Sequence, residues 1–244
     1  IKYNYADTNG NHDQGGGISI YSGAEVTLGS GCIIESNTAR MGGGVDIAIA
    51  KLFLDGAEIK SNKALNYSSN DTGGGLGGGI YFDAESNAAV FITRGIISGN
   101  IAEQHGGGIY FNGNGEDDET FTLSITGGTI ENNKAEENGV AGEGGAVYVE
   151  GGDFSLGGDA YIPAIDGAGK NDIYLASAAD PLLLASALSK HSQAKPVNCR
   201  VLENVFSRGK TLVSSAFEMS DEQAAAFKFS FVNEDNEAIV TSDK

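Results

Sequence analysis

IIESNTA, at residues 33–39, is one of five renderings of a single phrase. The others are IKYNYA at 1–6, IKSNKA at 59–64, IISGNIA at 96–102 and IENNKA at 130–135. All reduce to Ile, two residues, Asn, one residue, Ala. The Asn falls at Asn4, Asn37, Asn62, Asn100 and Asn133, and the Ala at Ala6, Ala39, Ala64, Ala102 and Ala135. Five matches at three fixed positions define a repeat, and repeats of this kind grow by stacking units onto one another.

A second phrase interleaves with the first. GGGI at 15–18, GGGV at 42–45, GGGI at 77–80, GGGI at 106–109 and GGAV at 144–147 each open a short alternating segment, and IYL at 173–175 makes a sixth without glycines. Between these phrases lies another alternating slot, filled by VTL at 26–28, LFL at 52–54, VFI at 90–92, TLSI at 122–125 and FSL at 154–156. Alternation over three to five residues is a strand signal, and no helical period runs through residues 1–175. Three strand-sized pieces per unit describe one coil of a right-handed parallel β-helix, with about six coils expected. Unequal repeat spacing then has one cause: insertions such as 65–76 and 112–120 bulge out as polar surface loops.

The recurring Asn and Gly have architectural roles in this reading. Sharp corners demand left-handed backbone, which Gly adopts without penalty and Asn tolerates better than most residues. Asn side chains stacked coil over coil bond amide to amide as an asparagine ladder. The Ala that follows fits a crowded inward position.

Composition narrows the function. The 244 residues carry 15 Lys and Arg against 33 Asp and Glu, a formal charge of −18, which argues against nucleic acid or an anionic membrane as partner. No apolar run is long enough to cross a bilayer as a transmembrane helix. Two cysteines, Cys32 and Cys199, are too few for a disulfide framework, and the apolar context of Cys32 predicts a buried free thiol. Because Ile1 falls inside a repeat, further coils upstream are expected in the native protein.

The GGAV at 144–147, the four GGG(I/V) copies and the IxxN phrases together resemble the polymorphic outer-membrane proteins of bacterial surfaces, which are marked by repeated GGA(I/L/V) and FxxN. The resemblance covers residues 1–175, with IxxN standing for FxxN throughout. It implies a right-handed parallel β-helix exposed at the bacterial cell surface, extracellular, often an autotransporter passenger with an adhesin or antigenic role. A protein or glycan of the host or of a neighbouring cell would then be the partner. The chain lacks the aromatic-terminated barrel that anchors autotransporters.

Residues 176–244 read as an irregular final coil and a cap for the array of 1–175. LLLASAL at 182–188 extends the array, SDEQAAAF at 220–227 is a short helix with Ser220 as N-cap and Gln223 completing a capping box, and FKFSFV at 227–232 with EAIVT at 237–241 makes a hairpin.

Candidate functional residues are few. The middle residue of each glycine-led strand points outward, giving the column Ser19, Asp46, Tyr81, Tyr110, Tyr148, Tyr174. Its four tyrosines are either a stabilising stack or a wet aromatic strip for sugar rings or a partner protein. DTNGNHD at 7–13 spaces Asp7, Asn9, Asn11 and Asp13 as Ca²⁺ ligands could be spaced, without the bidentate Glu of a calcium loop. No other cofactor is implied, and EDDE at 116–119 reads as a solvated acidic loop.

A carbohydrate-active enzyme, lyase or glycosidase, is the alternative. It would rest on the outward acids Asp83 and Glu150, with Arg94 as a lone basic candidate on another strand. His12, His105 and His191 show no metal spacing and read as solvated loop residues.

Overall fold

The glycine-led segments pair one after another, each with its counterpart a repeat further on. Ile18 stands opposite Val45, Val45 opposite Ile80, Ile80 opposite Ile109, Ile109 opposite Val147 and Val147 opposite Ile173, all in parallel register. This is the order read from the sequence, residue for residue. The computed structural model describes residues 1–6, 13–66, 73–83, 88–114, 120–137, 139–176, 182–192, 194–202, 212–232 and 238–239. Among them the chain is all-β with long parallel sheets and one short helix.

Three sheets form. The glycine-led sheet has nine strands, a second sheet of nine, two of them off its main path, carries the alternating slot, and four strands of a third sheet follow the ladder asparagines, with Val140–Ala141 added antiparallel at its edge. In the second sheet Leu52, Val90, Leu123 and Phe154 share one column, and Leu54, Ile92, Ile125 and Leu156 the next. These side chains meet Ile47, Phe82 and Phe111 of the glycine-led sheet in one continuous core. A strand buries alternate residues, so each repeat contributes two inward side chains per strand and stacks them on the same two from its neighbour.

Two sequence expectations change in detail. The alternating slot and the Ile of the Asn phrase are not separate strands in the central repeats: Lys51–Lys60 and Ala89–Ser98 run through both. Each bends at a glycine with positive φ, 107° at Gly56 and 118° at Gly95. The left-handed corner, moreover, does not fall on the ladder asparagines. It falls on the residue before each: Tyr3, Ser36, Ser61, Gly99 and Asn132 have φ of 58°, 57°, 54°, 63° and 57°. Placing the strained residue one step earlier leaves the Asn backbone free to pair and turns its side chain into the fold. The following Ala39, Ala64, Ala102 and Ala135 are fully buried, as the crowded position requires.

The ladder itself is complete. Asn37 Nδ2 donates to Asn62 Oδ1 at 3.0 Å, Asn62 to Asn100 at 3.0 Å and Asn100 to Asn133 at 3.0 Å. Asn4 donates to Asn37 at 2.9 Å. From Asn37 to Asn133 each Oδ1 also accepts from the backbone N–H of the preceding asparagine, and Nδ2 donates again to an Ile carbonyl, as Asn100 does to Ile59 at 3.0 Å. A sixth rung escaped the sequence reading. Pro163 and Ala164 interrupt the phrase, and Asn171 enters the ladder from further along, accepting from Asn133 Nδ2 at 3.4 Å and donating to Pro163 O at 2.8 Å.

Pairing does not stop at residue 175. Ile173–Leu175 pairs with Val197–Leu202, which pairs with Phe227–Val232, so residues beyond 175 continue the glycine-led sheet. Leu182–Leu188 and Val213–Ser215 continue the second sheet. The five-stranded sheet ends at Val140–Ala141. The hairpin closes the series, Phe227–Val232 against Ala238–Ile239. The helix is Asp221–Ala224, its Gln223 N–H donating to Ser220 Oγ at 3.4 Å, while Gln223 Oε1 takes no hydrogen bond. The capping box is half made. Cys32 is half-buried, unlike the buried Cys199, and stands in the turn just before Ile33–Glu35.

Candidate binding face

The tyrosine column forms as a stack. Ring centroids of Tyr81 and Tyr110 lie 5.4 Å apart, Tyr110 and Tyr148 5.0 Å, Tyr148 and Tyr174 5.4 Å, with the last two pairs within 6° of parallel. It faces away from the main core, yet it is not wet. Tyr81, Tyr110 and Tyr174 are 6%, 8% and 2% exposed, and only Tyr148 is half-buried. The expected aromatic strip is therefore covered.

The glycine triplets explain why. The first glycine of each is left-handed, with φ of 64° at Gly77 and 68° at Gly106. A Cβ on Gly106 would stand 2.6 Å from Ile109 O and 2.7 Å from Tyr110 Cα, so the chain folds back onto its own tyrosine strand in a way only glycine allows. That reversal lays the preceding residue over the column. Met41, Leu76, His105 and Glu143 pair in line as their own row of bridges. Leu76 and Met41 join Tyr81, Tyr110 and Tyr148 in a second apolar cluster, and His105 stacks on Tyr148 at 4.7 Å. The sequence signal was present, since one residue precedes every triplet.

Burial sets the electrostatics of this face. Desolvation, and then the carboxylates of Glu150 and Glu143, push the phenols of Tyr110, Tyr148 and Tyr174 well above their ordinary range. Tyr110 donates its hydroxyl to Glu150. Desolvation lowers His105 to about 4. These are neutral donors and packing groups, not nucleophiles. Asp46, lower in the column, is buried and takes the hydroxyl of Tyr21.

The remaining candidates disperse. Asp7, Asn9, Asn11 and His12 lie outside the described residues, as do residues 115–119. Asp13 is buried, and its carbonyl accepts from the backbone of Arg40. Among the described residues no group of three His, Cys, Asp or Glu is placed to hold a metal. Asp83 accepts from Asn112 Nδ2 at 3.3 Å. Arg94 lies on the second sheet and forks onto Asp55 at 2.7 and 3.0 Å. His191 is buried rather than solvated: Nε2 accepts from the Ile162 N–H at 3.0 Å, which places the ring proton on Nδ1, facing Lys195 O at 2.9 Å.

Beyond Tyr174 the column changes character. The register places Arg200 and then Ser230 in line with it. Two residues toward the strand start, Asn198 and Lys228 pair in a parallel column that follows Asp172. Together with the turn at Asp166 they line a cleft of about 410 Å³. Asp172 is 1% exposed and Arg200 8%. Asp172 Oδ1 accepts from the Gly145 N–H at 2.7 Å, and its Oδ2 stands 3.8 Å from Arg200 Nη1, beyond hydrogen-bond reach. Burial raises the Asp172 carboxyl above the usual range. The cleft joins Asp166 and Asp172 of the repeat array to Asn198, Arg200, Lys228 and Ser230 of the final coil and cap.

Comparison with protein-family models, with curated proteins and with solved structures yields no match. No helix among the described residues is long and apolar enough to cross a membrane.

Proposed function

We propose that the chain is a right-handed parallel β-helix acting as a non-enzymatic segment of a bacterial cell-surface protein. In this role it presents its inserted loops and its late repeats to a partner. The parallel pairing of each strand with its counterpart one repeat on supports the fold, and the GGG(I/V), GGAV and IxxN phrases support the surface role through their resemblance to polymorphic outer-membrane proteins. A fold of this kind hosts many activities, so the argument for function turns on the site.

One observation carries the non-enzymatic reading. The groups an enzyme would need are each engaged elsewhere: Asp83 by Asn112, Glu150 by Tyr110, and Arg94 by Asp55 on another sheet. The repeated polar residues serve the architecture.

The test is to incubate the purified protein with plant, microbial and host polysaccharides, with and without Ca²⁺, and to follow retention and product release together. Retention without products is expected. Unsaturated or new reducing ends would overturn the reading in favour of a carbohydrate-active enzyme.

A further inference from the structure

We infer that the outer face of the second sheet binds a neutral sugar ring, one whose hydroxyls lie in its rim, stacked on Phe91 over the hydroxyls of Thr122, Ser124 and Thr126. The site lies on a different sheet from the tyrosine column, and the inference goes beyond the surface role, which it does not need.

Repeat by repeat, one outward column of this sheet reads Thr27, Phe53, Phe91, Ser124, Ser155 and Leu183. The two phenyl rings stack, with centroids 5.2 Å apart and planes inclined by 14°. Both are half-buried, and neither joins the apolar core on the inner side of the sheet. The stack then breaks off. Ser124 stands where a third ring would, so the far face of Phe91 looks along the sheet onto an unfilled rung. Among the described residues no other aromatic ring stacks on Phe91.

Dimensions agree. One step between strands is roughly 4.8 Å, so a flat ring standing over Ser124 meets Phe91 at stacking distance. Leu183 lies three steps from Phe91, roughly 14 Å, and the two rungs between carry serines. The floor is polar. Thr122, Ser124 and Thr126 alternate outward along one strand. Ser155 Oγ donates to Ser124 Oγ at 3.1 Å, which leaves the Ser124 proton for an acceptor on a ligand. The charges beside this floor are carboxylates: Asp153 pairs with Thr122, and the Asp159 N–H donates to Thr126 O at 3.0 Å. The cations beside the phenyl rings, Lys51 and Arg94, are held by Glu25 and Asp55.

A sugar ring of this kind has bare C–H bonds on its faces and hydroxyls around its rim. The C–H bonds suit the electron-rich face of Phe91, and the rim suits the three hydroxyls below. An aromatic side chain of a partner would cover Phe91 but would strip water from Ser124 without bonding it. A sugar acid would meet the like charges of Asp153 and Asp159. The other end of the stack offers less. Thr27 is flanked by Gly29 and by Glu25, which Lys51 holds at 2.9 Å, so a ring there finds one hydroxyl.

The experiment titrates the whole chain with methyl β-glucoside, with glucuronate as the acidic counterpart and phenol as the aromatic one, by saturation-transfer NMR. The glucoside is expected to bind with about millimolar affinity, in keeping with a single stacked ring, and both counterparts more weakly. Phe91 lies outside the core, so Phe91→Ala should fold and weaken glucoside binding about fivefold. Ser124→Phe fills the empty rung with a third ring and adds a cross-strand aromatic pair, so it should fold and abolish binding. Thr27→Phe lengthens the stack at its other end and should leave binding unaltered. No glucoside binding at millimolar concentration, tighter binding of glucuronate or phenol, an unaffected Ser124→Phe, or an equal loss in Thr27→Phe would each overturn the proposal. Product release in the polysaccharide assay bears on the surface role and leaves this result untouched.

Discussion

Asn100 and Asn198 carry the same side chain at the two ends of one pattern. Asn100 sits where three sheets meet, and its amide makes four hydrogen bonds: two into Oδ1 from Asn62, and two from Nδ2 to Ile59 and Asn133. Asn198 sits where the third sheet has ended, and its Oδ1 makes none. The difference lies in what the neighbouring repeats supply. Where a repeat is regular, each polar group finds the same group one step on. Where it decays, donors and acceptors fall out of phase, and a charged residue, Arg200, occupies the place in line with the tyrosines. Regularity gives stability, and its loss gives chemistry.

The largest expected effect strains the comparison directly. Asn100→Ala strips the Asn62 backbone and amide donors, the Ile59 carbonyl and part of Asn133 of their partners, all of them buried. At about 1–3 kcal/mol per orphaned group, partly relieved by water, the loss should be about 3–5 kcal/mol. Asn171→Ala acts at the last rung, where the bonds are longer, 3.2 and 3.4 Å from Asn133, and half of Nδ2 serves Pro163. Its loss should be about 1–3 kcal/mol. Urea unfolding of both variants checks the order. Equal losses would mean that the ladder does not weaken toward the late repeats.

A smaller effect concerns the cover over the tyrosines. Desolvation holds His105 at about 4, below its usual 6.5. The unfolded chain therefore takes the proton first, so the stability that depends on a neutral His105 is whole above pH 6.5 and declines as pH falls toward 4. The ring is still 32% exposed and Glu143 stands 3.5 Å away, which holds the decline to about 1–2 kcal/mol. His105→Phe keeps a ring against Tyr148 and has nothing to titrate. The difference between wild type and variant in unfolding midpoint should grow from pH 7 to pH 4.5. A constant difference would show that the cover over the column is open to water.

Much of this was legible in the residues. Register was, because Ile80, Ile109 and Val147 each follow glycines at a constant offset and the core admits only one facing. The ladder was, because an asparagine repeated at one position has few uses in a strand corner. The left-handed residue was misplaced by one, since both members of Ser36–Asn37 tolerate a turn and only the side-chain bonds show which one takes it. Burial of the tyrosines was hidden for a different reason. Alternation assigns a side chain to a face of its own strand, but Leu76 and His105 arrive over that face from a reversal at Gly77 and Gly106, outside the strand's period. The cleft was least legible. Its residues come from 166, 172, 198, 200, 228 and 230, joined only by a register that no repeated phrase announces.

The smallest effect draws the comparison most finely, because it removes one oxygen at each end. Tyr110→Phe deletes a hydroxyl that donates to Glu150 and leaves the stacked ring in place. The half-buried Glu150 carboxylate loses a donor, so about 1 kcal/mol of stability should go. Ser230→Ala deletes a hydroxyl in the cleft wall, where the strand's outer face opens on solvent. That change should stay within about 0.5 kcal/mol. Thermal unfolding of the two variants side by side reads the contrast. A Ser230→Ala loss as large as that of Tyr110→Phe would mean that the late repeats use their polar groups for folding as the early ones do, and the division between stabilising repeats and binding repeats would fail.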